Sequence, residues 1–244
     1  MGTWLAIEAS QDSVGEARRA IDSAFAAVLQ IDALMHPGRE GSDLAALNSA
    51  APGTPVAIHR CTWEVLRLAK RINALTDGVF DPCVPVLSGR LRDIELGRES
   101  IAICHAPVCL DLGGIAKGYA VDRAVEALRA AGCPAGLVNS GGDLRLFGAL
   151  PQAILLPHGL EARQLLLRDT ALAVSDVDAQ QRPSEHRGYY VADRVEPVLT
   201  HRYAAVTSNE AAVADALTKC VLLCSTEVAR RALKAFGASS LVNA

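Results

Sequence analysis

The sequence predicts a chain that mixes helices and strands, α/β or α+β, and three observations carry that expectation. The chain has 244 residues, 50% apolar and 21% charged, and chains of this size hide roughly 70–75% of their unfolded surface. Apolar residues recur at helical spacing over long stretches. Short apolar runs of strand length lie between them.

The longest periodic stretch is Val14 to Met35, with Ala17, Ile21, Ala24, Phe25, Val28, Leu29 and Ile31 on one stripe and His36-Pro37-Gly38 as its stop. Further helices are expected over residues 62–75, 117–131, 210–224 and 226–236. Strands are expected over 3–7, 55–58, 101–104, 136–138, 153–156, 171–174 and 204–206. No Pro/Gly/Ser-rich linker, low-complexity tract or repeat interrupts the chain, so one domain is the simplest organisation.

Composition excludes several classes of function. With 24 basic and 27 acidic residues the net charge is -3, and no polybasic block is present to neutralise a phosphate backbone. Aromatics make up 4% of the chain, so platforms for stacking bases are scarce. No apolar run approaches the ~20 residues needed to cross a bilayer. Met1-Gly2-Thr3-Trp4 has no basic n-region or long apolar h-region, which reads as a soluble chain without an export signal. Ala6 stands where a myristoylation signal requires Ser or Thr. The seven cysteines form no Cys-x-x-Cys pair, which argues for reduced thiols in a cytoplasmic protein and against zinc.

The stretch richest in chemical meaning is Asp111-Leu112-Gly113-Gly114-Ile115-Ala116-Lys117-Gly118-Tyr119-Ala120-Val121-Asp122. Two glycines ahead of a helix start allow close backbone approach to a ligand, and the free amides of a first helical turn attract an anion such as a pyrophosphate. Glycine spacing alone fits a plain tight turn equally well. It is neither a Walker A loop, lacking Gly-Lys-Ser/Thr, nor a dinucleotide-binding glycine pattern.

Other segments accompany it in order: Met1-Gly2-Thr3, Ser42-Asp43-Leu44 followed by Leu47-Asn48, and Thr76-Asp77-Gly78-Val79-Phe80-Asp81-Pro82. Then come Val138-Asn139-Ser140-Gly141-Gly142-Asp143-Leu144-Arg145 and Ala214-Asp215-Ala216-Leu217. Together they resemble the motifs of the FAD:protein FMN transferase family, the ApbE-like proteins, over nearly the whole chain. The resemblance implies a single α+β domain over residues 1–244, a mixed β-sheet packed with helices. It implies a Mg2+-dependent enzyme that moves FMN from FAD to a Ser or Thr hydroxyl of an acceptor flavoprotein. It places the metal at Asp215 and at a backbone carbonyl near Ala116. Met1, Val79, Phe80 and Asp81 would line the flavin-nucleotide pocket, and Gly113, Gly114, Lys117 and Tyr119 would surround the diphosphate. A divalent cation and helix-terminal amides suit such chemistry because they disperse charge on the leaving phosphate.

Local explanations compete at several positions. Asp81-Pro82 is a common turn dipeptide, Phe80 fits a core, and Gly141-Gly142-Asp143 reads as a hairpin turn before it reads as a ligand. Cys220 and Cys224 share one helical face, which is ordinary core packing.

Four departures from the family pattern bear on activity. The Thr expected four residues after Asp215 is replaced by Lys219, with Thr218 one residue early; Lys219 reads either as an i,i+4 salt bridge to Asp215 or as an ammonium that takes over part of the metal's work. The family's phosphate-proximal His has Tyr190 at the matching place, within Tyr189-Tyr190-Val191-Ala192-Asp193-Arg194, and His186 upstream reads as a solvated loop residue. Tyr190 can donate a hydrogen bond but is a poor base at neutral pH. Gly38 replaces a flavin-stacking aromatic, and the stretch between Leu87 and Asp111 is a few tens of residues shorter than usual. The site assignment is therefore Asp215, Lys219 and Tyr190 as catalytic positions. Two alternatives use the same site: a non-catalytic flavin-nucleotide-binding relative, and an FAD pyrophosphatase with water as acceptor.

Overall fold

The structure, a computed structural model, describes residues 3–98, 100–158, 161–176 and 203–241. A strand β1 (Leu5–Ala9) leads to the helix α1 (Val14–Met35), which Ser13 starts by accepting a hydrogen bond from the Glu16 amide. Its buried residues Ala20, Ala24, Val28, Ile31 and Met35 fall three or four apart, the stripe read from the sequence. The short helix α2 (Asp43–Ser49) is capped by Ser42. Then follow β2 (Pro55–Ala57), α3 (Arg60–Leu75), β3 (Ile94–Leu96) and β4 (Ile101–Cys104). Next come α4 (Ala116–Ala130), β5 (Gly136–Ser140), β6 (Asp143–Phe147), β7 (Gln152–His158), β8 (Glu161–Leu167) and β9 (Thr170–Asp176). The last elements are β10 (Tyr203–Ser208), α5 (Ala211–Leu223), α6 (Thr226–Ala235) and β11 (Ser239–Ser240).

The main sheet has the order β1-β5-β6-β9-β10-β11, with β2-β4-β3 and β7-β8 as smaller sheets. Every pairing between these strands is antiparallel. That resolves the two fold classes in favour of α+β, because α/β folds are built on parallel strands joined by crossover helices.

Alternation along the strands gives the main sheet two different faces. Val138, Phe147, Ala171 and Ala173 join the large core under α1, α4 and α5, while Leu137, Leu144, Leu146, Leu156, Leu172 and Ala205 form a second cluster on the other side. Ile154, Leu165 and Leu167 of the β7-β8 hairpin pack on that second cluster. Each fully buried leucine of this kind contributes ~1.5–3 kcal/mol. Helix α4 packs against α1, α5, β5 and β6, so its first turn lies where helices and sheet meet.

Candidate functional site

The start of α4 is assembled by three neighbouring segments. Asn48 on α2 accepts from the Leu110 amide at 2.7 Å and donates to the Leu110 carbonyl at 3.1 Å, mimicking a strand partner for the chain just ahead of Asp111. Pro82 supplies its carbonyl to the Asp111 amide at 2.9 Å, and Asp111 turns its own Oδ1 onto the Gly113 amide at 3.0 Å. The Leu47-Asn48, Asp81-Pro82 and Asp111–Gly114 motifs, far apart in sequence, thus join at one place.

Val79, Phe80 and Asp81 are held by the C-terminal end of α3. Asp77 and Gly78 take positive φ values of 53° and 85° to reverse the chain. Thr76 accepts from the Phe80 amide at 3.1 Å through its hydroxyl, and Asn73 donates to the Phe80 carbonyl at 2.8 Å. The Asp81 carboxylate accepts from the amides of Cys83 and Leu91, so it is a turn-former as the Asp-Pro dipeptide suggests, and burial raises its pKa. Phe80 is buried in the core and also forms a wall of the cleft.

That cleft is lined by Val79, Phe80, Asp81, Pro82, Asp111, Gly114, Ile115, Lys219 and Leu223. Val79, Phe80, Asp81, Gly114 and Lys219, all expected from the sequence, therefore come together.

Next to the cleft lies a buried group of two carboxylates and two ammoniums. Lys219 Nζ binds Asp215 Oδ1, one helical turn away on α5, and also donates to the Asp215 carbonyl at 3.1 Å. The Gly118 amide donates to Asp215 Oδ2 at 3.2 Å, which ties the first turn of α4, including Ala116, to α5. Lys117 Nζ binds Asp143 Oδ2 on β6, while Asp143 Oδ1 is buried and has no hydrogen-bond partner among the described residues. Burial alone would raise the Asp215 pKa, but Lys117 and Lys219 outweigh it and hold Asp215 below the usual carboxylate range. Asp143 responds oppositely: burial, reinforced by the Asp215 charge, overrides its lysine neighbours and pushes it up to about 6.

Other sequence-derived positions lie away from the cleft lining or outside the described residues. The Tyr119 hydroxyl donates to Glu64 on α3 at 2.7 Å, and the residue is not part of the cleft lining. Thr218 spends its hydroxyl on Ser175 and on the Asp215 carbonyl, both at 2.7 Å. Met1 and Tyr190, with His186, lie outside the described residues. Gly38 sits in an exposed turn after α1, its amide on the His36 ring.

Asp143 and Asn48 were missed as site residues by sequence reasoning. Gly141 and Gly142, at φ 59° and 102°, form the expected hairpin turn. The same turn delivers the Asp143 carboxylate to Lys117. A signal existed: Asp143 and Arg145 alternate on β6 and meet Lys117 and Asp122 on α4, opposite charges on facing elements.

Glycines opening a helix, a lysine-bearing cleft and a buried carboxylate beside them form a site suited to an anionic ligand. The chain belongs to the ApbE family, whose model matches residues 1–92 and 86–241. It is 25% identical over 170 residues to the FAD:protein FMN transferase of Treponema pallidum (strain Nichols), covering 57% of this chain and 47% of that protein. It is 23% identical over 193 residues to the one of Vibrio cholerae serotype O1, covering 68% and 58%. The chain spans about half the length of the curated relatives it matches. Among solved structures, the flavin transferase ApbE from Vibrio cholerae superposes with a TM-score of 0.82 at 20% identity, over 98% of this chain and 89% of that one. The Pseudomonas stutzeri flavinyl transferase ApbE, apo form, gives 0.78 at 18%, over 99% and 92%. These likenesses establish the fold.

Proposed function

We propose that the chain is a flavin transferase, a single domain over residues 1–244 that moves FMN from FAD to a Ser or Thr hydroxyl of an acceptor protein. The observation that carries this reading is the convergence of Val79–Asp81, Gly114 and Lys219 on one cleft beside Asp215. The names of the relatives, FAD:protein FMN transferases, support it.

In this reaction the acceptor hydroxyl oxygen bonds to the phosphorus of the FMN half, the bond to the AMP phosphate breaks, and the hydroxyl proton is released. Gly114 keeps its backbone open to the diphosphate, since a Cβ there would meet only the Lys219 side chain at ordinary contact distance, 3.6 Å. Val79 and Phe80 give the cleft an apolar wall. Lys219, in the cleft lining, supplies positive charge against that developing on the AMP phosphate.

The Mg2+ implied by family resemblance fits the residues poorly. Both Asp215 oxygens are already engaged, by an ammonium and by the Gly118 amide. Among the described residues no three His, Cys, Asp or Glu side chains gather into a metal-binding group. No described helix is long and apolar enough to cross a membrane.

The test is to incubate the protein with FAD and an acceptor domain, with Mg2+ or with EDTA, and to look for flavin fluorescence on a denaturing gel. A covalent band that disappears when the acceptor hydroxyl is removed is expected. Release of FMN and AMP without a band would make the chain a pyrophosphatase, and FAD binding without turnover would make it a non-catalytic binder.

A further inference from the structure

We propose that the Lys219 ammonium is the resident cation of the cleft, holding the ligand's diphosphate in place of a divalent metal. The proposal rests on the flavin-transfer reading above and goes beyond it, because it makes FAD binding by this chain independent of metal.

Four observations converge on Lys219. Its side chain is 7% exposed, yet the residue lines the cleft. Its stem runs along Gly114, with Cε 3.6 Å and Cγ 3.9 Å from where a Cβ would be, which brings the lysine beside the backbone that opens toward the ligand. An ammonium carries three N–H donors, and among the described residues Lys219 has two acceptors, Asp215 Oδ1 and the Asp215 carbonyl. One donor is left for a ligand. Finally, Asp215 serves as the lysine's anchor, with Oδ1 on the ammonium and Oδ2 on the Gly118 amide.

Charge accounting points the same way. Asp143 and Asp215 pair with Lys117 and Lys219, while Asp81 and Asp111, which also line the cleft, turn their carboxylates onto the amides of Cys83, Leu91 and Gly113, so a divalent cation arriving at Asp215 would have to displace an ammonium or sit beside it. Stability alone gives little reason for the arrangement, since replacing a buried ion pair with apolar side chains is often neutral or favourable. A lysine held at the edge of a cleft by a carboxylate, with a donor to spare, is instead arranged as an anion site. As a point charge with rotatable donors it suits a phosphate oxygen without demanding bidentate geometry.

FAD fluorescence titrations in Mg2+ and in EDTA test this on the wild-type protein, and on Lys219→Thr and Lys219→Met. Wild type is expected to give the same affinity in both buffers. In EDTA both variants are expected to bind about tenfold more weakly or worse, as loss of a charge-assisted hydrogen bond would cause. Lys219→Thr alone is expected to recover in Mg2+, its hydroxyl oxygen and the freed Asp215 now offering a metal ligand pair. Mn2+ titrated against the FAD complexes and followed by electron paramagnetic resonance gives a second readout: free-ion signal persisting with wild type, lost with Lys219→Thr. Circular dichroism confirms that each variant is folded, and the wild-type comparison needs no variant. Mg2+-dependent FAD binding by wild type, or unchanged affinity of both variants in EDTA, overturns the proposal. No FAD binding by wild type in either buffer overturns the flavin reading itself.

Discussion

Two buried charged groups lie on the same pair of helices, and they are built differently. At the start of α5, Asp122 is saturated: Oδ1 accepts from the Ala211 amide at 2.9 Å and from Arg145 at 2.6 Å, and Oδ2 accepts from the Ala212 amide at 2.9 Å. It caps α5 from α4 and complements the positive end of that helix. Elsewhere, the Lys117–Asp143 pair between α4 and β6 and the Asp215–Lys219 pair on α5 have a surplus among the described residues: an unpartnered Asp143 oxygen, a spare Lys219 donor, and a cleft alongside. A buried charge with all its partners in place holds the fold together, whereas one with capacity left over is where a ligand is to be sought.

The contrast breaks most severely at Asp122. Asp122→Ala would leave Arg145 without its buried partner and two α5 amides uncapped, so a loss of about 3–5 kcal/mol is expected, measured by urea unfolding. A loss under about 1 kcal/mol, the range of an exposed pair, would move Asp122 out of the structural class.

The two glycines of the loop and helix repeat the contrast. At Gly118 a Cβ would overlap the Ala211 carbonyl and lie 2.7 Å from the Ala212 amide, so α4 and α5 touch backbone to backbone there. Gly118→Ala should cost about 1–3 kcal/mol or more as overpacking. At Gly114 the protein itself imposes no such demand. Gly114→Ala should therefore retain wild-type unfolding within about 0.5 kcal/mol while FAD affinity falls. Equal losses of stability and affinity would make Gly114 a plain turn residue.

The same distinction explains what the sequence made legible. Long helices with one apolar stripe were read to within two residues, as with α1 and α3, because periodicity reports burial directly. Helix α2 escaped because seven residues hold too few turns to display a period, although Ser42 marked its start. Strand β6 escaped for a different reason: Asp143 and Arg145 face inward to α4, so its alternation places charge where burial is expected to place apolar residues. The glycine loop, Asp81 and Asp215 stand out in the sequence by motif rather than by periodicity. Asp143 was read as part of a turn because the turn is real, and only the tertiary pairing with Lys117 gives it a second role.

The smallest expected effect is the pH response of Asp143, and its sign separates that residue from Asp215. Burial pushes Asp143 up to about 6 from an ordinary 3.8, so between those values the folded state binds the proton more tightly than the unfolded state. The contribution of this group to stability is then fully present at low pH and is lost as pH rises through about 6. Asp215, held below its ordinary value by Lys117 and Lys219, contributes in the opposite sense and loses stabilisation only in more acidic solution. Comparing melting temperatures of wild type and Asp143→Asn at pH 7 and pH 5 isolates the first effect, because the asparagine cannot titrate. Wild type should gain on the variant as pH falls across that interval. A constant offset would mean that Asp143 keeps the same charge at both values, as it would if Lys117 held it below its ordinary value the way Lys117 and Lys219 hold Asp215.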